Sequence, residues 1–293
     1  MRFFAHDKAG RMGGMHLELP ALACNAHCHV FGPRERFPYA ADAAYVPQAD
    51  APAEALIALN DSLGLQRCVV VQSACHGFDN RATADALLRR PQGYRGVALL
   101  PTDTPLAELR RLDAQGFRGV RFNYYRHLGA EAGLDEVLAM SHRLADVGWH
   151  LQIHASSDRL AEIGATLRDA AVPVVVDHIG RVDASLGPRH EHFRALVDLL
   201  RDRRWWVKLS GIDRISALGP PYDDAIGFAG LLMRDFEDRV LWGNDWPHPN
   251  HAGPIPDERQ LVDSIARFAP DETQRRSLLV SNPQRLYRFG DAV

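Results

Sequence analysis

Eight short apolar runs, separated by longer segments of helical periodicity, constrain the fold of this 293-residue chain most strongly. The runs are rich in Val and Leu, which is typical of strands buried on both faces of a parallel sheet. They are residues 22–30, 67–72, 96–100, 119–123, 149–154, 173–178, 205–210 and 240–245. The helical segments are residues 52–63, 80–90, 105–115, 134–147, 158–170, 190–202, 222–238, 257–268 and 273–279. Eight strand–helix units in about 270 residues predict a single α/β barrel of the (β/α)8 type.

A doubly wound open sheet is the alternative fold, but no Gly-x-Gly-x-x-Gly motif follows the first run. No Pro/Gly/Ser-rich linker and no shift in composition divides the chain, so residues 21–293 are predicted to form one domain. Residues 1–20 are expected to be a loose lead-in, with Met15 as an alternative start. Their apolar runs are too short for a secretory signal or a membrane span, so no membrane association is expected.

The charge balance argues against a nucleic-acid partner. Lys and Arg number 34 and Asp and Glu 37, which gives a formal net charge of −3 and no global basic field. Four cysteines without a Cys-x-x-Cys pair, in a chain too long to need disulfides, predict a reducing cytoplasm. Lys8 and Lys208 are the only lysines, and the abundant arginines favour recognition of a small anionic molecule. The sequence leaves a homo-oligomer open.

Histidines and an aspartate lie where the predicted strands end, and strand ends form one face of a parallel barrel. His27 and His29 are two residues apart on the first run, so both rings project from the same side of the strand. A lone His-x-His pair more often makes local hydrogen bonds. His154, His178 and Asp245, which end the fifth, sixth and eighth runs, complete a nitrogen and oxygen set that suits zinc.

These residues and five longer strings resemble the amidohydrolase superfamily and, within it, a branch of lactone hydrolases. The strings are CHVFGP at 28–33, FPY at 37–39, VQSACHG at 71–77, VDHIGR at 176–181 and WGNDWPHP at 242–249. The resemblance covers about residues 24–287 and implies a hydrolase acting on a carboxylic ester. The implied substrate is a dicarboxylated or sulfonated lactone, such as a muconolactone or a pyrone dicarboxylate, from aromatic-compound degradation.

Two departures from the family pattern bear on the metal. Metal-independent pyrone-dicarboxylate hydrolases of the branch carry a tyrosine at the end of the fifth strand, where this chain has His154. The fourth strand offers Arg121 and Asn123 instead of the residue that bridges two metals elsewhere in the superfamily. The resemblance therefore implies one Zn²⁺, with a metal-free mechanism as the alternative.

The expected mechanism is metal-assisted attack of water on the lactone carbonyl. His27, His29, His154 and Asp245 are the predicted zinc ligands, and zinc polarises the carbonyl or activates water. Asp245 is expected to take the proton of the water and pass it to the departing oxygen, and His178 to stabilise the oxyanion or to complete the ligand set. Without a metal, Asp245 keeps this role and the histidines supply the electrostatic stabilisation.

Arginines on the predicted rim are expected to bind the fixed charges of the substrate through their guanidinium forks. Ser73 lacks a Gly-x-Ser-x-Gly elbow, so we interpret it as a hydrogen-bonding residue and not as a nucleophile. The predicted substrate-binding residues are Arg121, Arg126, Arg181, Arg214, Tyr45, Ser73 and His76.

Other functions fit the same pattern. A sugar-acid lactonase, a galactarolactone isomerase or a decarboxylase would use the same histidines and Asp245 on the same barrel. A non-catalytic anion-binding module would not need an aspartate among histidines, and turnover of any lactone would exclude it.

Overall fold

The computed structural model describes residues 16–125 and 131–290. Within these ranges eight parallel strands pair in chain order, which confirms the predicted (β/α)8 barrel. The strands are β1 (Cys24–Cys28), β2 (Arg67–Val71), β3 (Tyr94–Ala98), β4 (Phe117–Tyr124), β5 (His150–Ala155), β6 (Val174–Val176), β7 (Trp205–Lys208) and β8 (Val240–Leu241). All eight predicted runs overlap a strand, and β3 begins two residues earlier than expected.

All nine predicted helical segments are confirmed to within a few residues. The helices are α1 (Ala53–Leu63), α2 (Arg81–Arg89), α3 (Leu106–Ala114), α4 (Leu134–Ala145), α5 (Ser157–Leu167), α6 (Glu191–Leu200), α7 (Ile212–Ile215), α8 (Asp223–Asp235), α9 (Glu258–Phe268), α10 (Glu272–Arg276) and α11 (Asn282–Tyr287). The sequence did not predict the single turn of α7, or α11, which follows a π-helical turn at Ser277–Ser281. Among the described helices, none is both long and apolar enough to cross a membrane.

Backbone hydrogen bonds between β1 and the segment after β8 close the barrel. The amide of Ala26 donates to the carbonyl of Trp242 at 2.7 Å, and the amide of Asp245 donates to the carbonyl of His27 at 2.9 Å. This approach requires Gly243, because a Cβ there would lie 2.4 Å from the backbone nitrogen of His27. The closure places Asp245 beside the histidines of β1.

Successive side chains of each strand point to opposite sides of the barrel wall, and this separates two apolar clusters. On β2, Cys68 and Val70 pack outward against the helices, whereas Val69 and Val71 point into the barrel. Inside the barrel these valines share a cluster with Tyr287 and other residues of the chain's C-terminal segment. The interior is therefore filled with apolar side chains toward one end, and buried polar side chains occupy the other.

The turn after β1 and the helices around it place the His-x-His pair as expected. Cys28 belongs to the outer cluster that packs against the helices, so His27 and His29 both point toward the barrel axis. Of the predicted lead-in, Leu17 and Leu19 pack against the core, and the amide of Leu17 donates to the carboxylate of Asp263 at 2.9 Å.

Candidate active site

Three imidazoles converge on one oxygen of Asp245 at the carboxyl ends of the strands. The Nε2 atoms of His29, His27 and His178 lie 3.2, 3.6 and 3.9 Å from Asp245 Oδ1. All four side chains are buried. Four of the predicted strand-end residues, His27, His29, His178 and Asp245, thus form one compact cluster, which the structure brings together from the end of β1 and the segments after β6 and β8.

The other ring nitrogen of each histidine has its own partner, and this fixes the orientation of the ring. His29 Nδ1 lies 2.8 Å from the carbonyl of Val71, His178 Nδ1 lies 3.0 Å from Ser210 Oγ, and His27 Nδ1 lies 3.2 Å from both Asp177 Oδ1 and Lys208 Nζ. When its Nδ1–H group donates to Val71, His29 presents the lone pair of Nε2 toward Asp245, and His27 does the same in the tautomer that donates to Asp177. Metal-binding histidines have this arrangement, with the outer nitrogen held by a carboxylate or a backbone carbonyl.

The donor atoms of this cluster fit a metal ion that takes nitrogen and oxygen ligands. His27 Nε2 and Asp245 Oδ1 are buried and have no hydrogen-bond partner among the described residues. A nitrogen lone pair that faces a carboxylate oxygen needs a proton or a cation between them, because both are acceptors. Two groups of ligand atoms lie within 4.8 Å of one another: His27 with His29 and Asp245, and His27 with Asp177 and His178.

His154, also predicted as a zinc ligand, belongs to neither group of ligand atoms. Its Nδ1 lies 3.3 Å from Asn123 Oδ1, and its ring stacks on Tyr125 at a centroid distance of 4.9 Å. Its centroid is 5.5 Å from that of His178. The structure places His154 in the wall of the cavity above the cluster.

Electrostatics set the protonation states that this chemistry needs. Burial opposes ionisation of Asp245, but Arg214, whose Nε lies 2.5 Å from Oδ2, and the histidines hold the pKa of Asp245 well below its usual range. Burial lowers the pKa of His27 to about 3, and it takes the pKa values of His178 and His154 well below the usual 6.5. At neutral pH the site therefore combines the Asp245 carboxylate with the neutral imidazoles of His27, His154 and His178.

A cavity of about 590 Å³, counting its mouth, opens directly above the cluster. Its described lining residues are His29, Tyr45, Ala74, Arg121, Asn123, Tyr125, His154, His178, Arg181, Arg214, Asp245, Pro249 and Asn250. Three of the predicted arginines, Arg121, Arg181 and Arg214, are among them. Arg126, the fourth, lies outside the described residues.

Each lining arginine is held at the wall by a contact to one side of its guanidinium group. Arg121 Nε lies 3.0 Å from Asp177 Oδ2, and Arg181 Nε donates to the hydroxyl of Tyr125 at 3.2 Å. Arg214, which already contacts Asp245, also donates from Nη2 to the carbonyl of Pro249 at 3.1 Å. The wall is therefore positively charged at three places around the cluster.

The remaining predicted substrate-binding residues differ in position. Tyr45 lines the cavity, and its hydroxyl lies 2.5 Å from Ser73 Oγ, which is buried behind it. His76 Nδ1 lies 3.0 Å from the carbonyl of Pro38, and its ring packs against Tyr39. The structure thus brings Tyr45 to the cavity, places Ser73 behind it and leaves His76 outside the described lining.

Sequence reasoning missed the ion cluster beneath the histidines. Asp177 faces Lys208 Nζ at 3.6 Å through Oδ1, the atom that also faces His27, and its Oδ2 faces Arg121. Lys208 is fully buried, and it donates to Gln152 Oε1 at 2.9 Å. Burial lowers the pKa of Lys208 to about 8. The available signal was a lysine inside an apolar run, since buried lysines need a partner.

Comparison with known proteins agrees with this geometry. Residues 24–289 match the Amidohydrolase family, and the chain belongs to that family. This result confirms the predicted superfamily, and the chain is an enzyme of that group.

Relatives with curated descriptions lie in the lactone-hydrolase branch. The chain is 42% identical over 279 residues to a 2-pyrone-4,6-dicarboxylate hydrolase of Comamonas testosteroni. The match covers 92% of this chain and 91% of the relative. It is 38% identical over 280 residues to a 4-sulfomuconolactone hydrolase of Rhizobium radiobacter, with 94% and 93% covered. A crystal structure of a probable 2-pyrone-4,6-dicarboxylic acid hydrolase from Acinetobacter baumannii with citric acid bound superposes with a TM-score of 0.82. That chain is 26% identical, and the match covers 92% of this chain and 100% of that one.

Proposed function

We propose that this enzyme opens the ester ring of a lactone that carries fixed carboxylate or sulfonate groups. The observation that carries the proposal is the ionised Asp245, faced by three imidazoles and Arg214 below a cavity with an arginine-rich wall. A carboxylate in such a position can accept a proton from water, and the wall can hold an anionic substrate above it.

The charge of the wall supports an anionic substrate. The described lining contains three guanidinium groups and one carboxylate, Asp245, so it favours a negatively charged substrate. Guanidinium groups bind carboxylate and sulfonate oxygens in pairs of parallel hydrogen bonds. The relatives act on a pyrone dicarboxylate and on a sulfomuconolactone, and the structure from A. baumannii holds citric acid, which is also a polycarboxylate.

Asp245 is the proposed proton carrier. It removes a proton from the attacking water as the water oxygen bonds to the lactone carbonyl carbon. When the carbon–oxygen bond of the ring breaks, Asp245 returns the proton to the departing ring oxygen, so protons balance over the cycle. With the hydroxyl of Ser210 donating to His178 Nδ1, His178 keeps its proton on Nε2 and donates a hydrogen bond to the tetrahedral oxyanion without transferring that proton.

We infer that His27, His29 and Asp245 would hold a zinc ion, with His178 Nε2 close enough to join them. A bound zinc ion would supply a Lewis acid that polarises the carbonyl and lowers the pKa of water. Asp177 and Val71 orient the two β1 imidazoles for this role. In the metal-free alternative Asp245 performs the same proton transfers, and His27, His29 and His178 provide the electrostatic stabilisation.

Product analysis in ¹⁸O-labelled water tests the reaction class. Incubation with 2-pyrone-4,6-dicarboxylate or 4-sulfomuconolactone should yield an acyclic product that has gained one water, with ¹⁸O in the new carboxylate. A D-galactarolactone isomerase is also among the relatives, at 24% identity over 229 residues. A product of unchanged mass would therefore indicate isomerisation and not hydrolysis, and released CO₂ would indicate a decarboxylase.

Metal content is measured on the same preparation. We expect about one zinc per chain, with activity lost in chelator and restored by zinc. A metal-free protein that is fully active in chelator would overturn the zinc proposal and leave the hydrolase proposal standing.

A further inference from the structure

The segment after β8 has a left-handed backbone at three residues, which is uncommon for residues other than glycine. Asp245, His248 and Asn250 have φ values of 64°, 60° and 56°, which lie in the left-handed region. Residues other than glycine stay in this region only where surrounding contacts hold them there. The segment after β8 must therefore be fixed by contacts outside the cavity.

Glu258, the first residue of α9, makes such contacts on both sides of Asp245. Its Oε2 accepts a hydrogen bond from Asn244 Nδ2 at 2.6 Å, and its Oε1 lies 2.8 Å from His248 Nε2. Asn244 and His248 are both buried. One carboxylate thus joins the residue before Asp245 to the residue three positions after it.

Asn244 is in turn fixed to the start of the barrel. Its Oδ1 accepts from Asn25 Nδ2 at 2.7 Å and from the amide of Trp246 at 3.2 Å. Its own amide donates to Asn25 Oδ1 at 3.2 Å. These bonds leave Asn244 little freedom. A group that binds both the Nδ2 amide of Asn244 and the ring of His248 therefore sets the geometry of the turn between them.

We propose that Glu258 is a positioning residue that acts through Asn244 and His248 to keep the Asp245 carboxylate on its histidines. Glu258 is absent from the described cavity lining, so it acts without touching substrate. The inference rests on the proposed function, in which Asp245 carries the proton. It also explains why the string WGNDWPHP contains an asparagine and a histidine around the aspartate.

Two variants separate the effect of the length of the Glu258 side chain from the effect of its charge. Glu258→Gln keeps the length, an oxygen for Asn244 and an amide that can donate to neutral His248, so kcat on the anionic lactone should stay within about threefold. Glu258→Asp keeps the charge but is one methylene shorter and cannot reach both partners. Its kcat should fall about 10- to 100-fold, with KM within about threefold because the arginines are undisturbed.

Glu272→Asp is the matched control. Glu272 follows the N-cap residue Asp271 at the start of α10, as Glu258 follows the N-cap residue Asp257, but it is exposed. The control therefore reproduces the change at a helix N-terminus without the two buried partners, and it should leave kcat and KM unchanged.

Amide hydrogen exchange of residues 243–250 provides a readout that needs no substrate. Exchange in this segment should be at least about tenfold faster in Glu258→Asp than in the wild type or in Glu272→Asp. The proposal is overturned if Glu258→Asp keeps wild-type kcat, if Glu258→Gln loses as much kcat as Glu258→Asp, or if exchange in the segment is unchanged. If the wild type opens no anionic lactone, the proposed function fails, and the exchange experiment alone decides whether Glu258 holds the turn.

Discussion

Replacement of Asp177 by Asn should weaken the fold in a way that depends on pH. Asp177 is the acidic member of a buried cluster, 3.0 Å from Arg121 Nε and 3.6 Å from Lys208 Nζ. The substitution preserves the shape of the side chain and removes its charge. Lys208 and Arg121 then lose the carboxylate that balances them in the barrel interior.

The pKa of Lys208 sets the magnitude of the loss. The pKa is about 8 in the folded protein, below its ordinary value of 10.5, because burial lowers it while Asp177 opposes the decrease. Without Asp177 the folded pKa should fall further, and Lys208 loses its proton on folding. The unfolded chain then binds one more proton than the native one, so the stability of the variant decreases as pH falls.

Because Lys208 can lose its proton, its share of the loss in free energy of unfolding is at most about 1.4 kcal/mol for each pH unit below 8. It should be about 1 kcal/mol at pH 7 and about 3 kcal/mol at pH 6. Arg121 cannot lose its proton, and the loss of its buried ion-pair partner adds about 1.5–3 kcal/mol at every pH. At pH 6 the total of about 4–6 kcal/mol is close to the usual cost of breaking a buried ion pair.

Urea unfolding between pH 6 and pH 9, followed by tryptophan fluorescence in chelator, measures this difference. The control is Asp177→Asn combined with Lys208→Met, in which the pH-dependent part should disappear. A deficit that does not change between pH 6 and pH 8, or a slope that persists in the double variant, would show that Lys208 is not balanced by Asp177.

Four further substitutions test roles within the cavity. Asp245→Asn should lower kcat about 10²- to 10⁴-fold in a folded protein, and near wild-type kcat would remove Asp245 as the proton carrier. Arg121→Met and Arg181→Met should each reduce kcat/KM for the anionic lactone about 10- to 150-fold and leave a neutral lactone unchanged, whereas equal losses on both would indicate a structural role. His154→Tyr should keep the zinc content measured by mass spectrometry, because His154 lies outside both groups of ligand atoms, and loss of zinc would make it a ligand.

The fold could be predicted because buried parallel strands are apolar along their whole length. The exception at β3 shows the limit of this signal. Tyr94 and Arg95 open that strand although a buried arginine is unexpected in it, and Arg95 is accommodated by stacking on Phe289 at 4.8 Å. Arg95 and Phe289 are far apart in the chain, so no local sequence pattern predicts their contact.

The candidate site could be predicted in part for a similar reason. His27, His29, His178 and Asp245 end strands, and strand ends share one face of the barrel. The orientation of a ring depends on neighbours from other strands, so the position of His154 against Asn123 and Tyr125 could not be derived from strand order.

The ion cluster and the contacts around Asp245 were out of reach of the sequence pattern. Lys208 on β7 meets Asp177, which follows β6, and Glu258 on α9 meets residues that follow β8. Charged residues are usually exposed, so nothing local distinguishes Asp177 and Glu258 from solvated side chains, and the apolar run around Lys208 shows that it is buried but not which residue it meets.

The preference of the wild-type enzyme for a charged lactone tests the central claim most directly. The measurement is kcat/KM for 2-pyrone-4,6-dicarboxylate against the same pyrone without its carboxylates, under identical buffer and salt. With two charged contacts of about 1.5–3 kcal/mol each, we expect the dicarboxylate to be preferred by at least about 100-fold. A neutral pyrone or sugar lactone that is hydrolysed as well as the dicarboxylate would contradict the account.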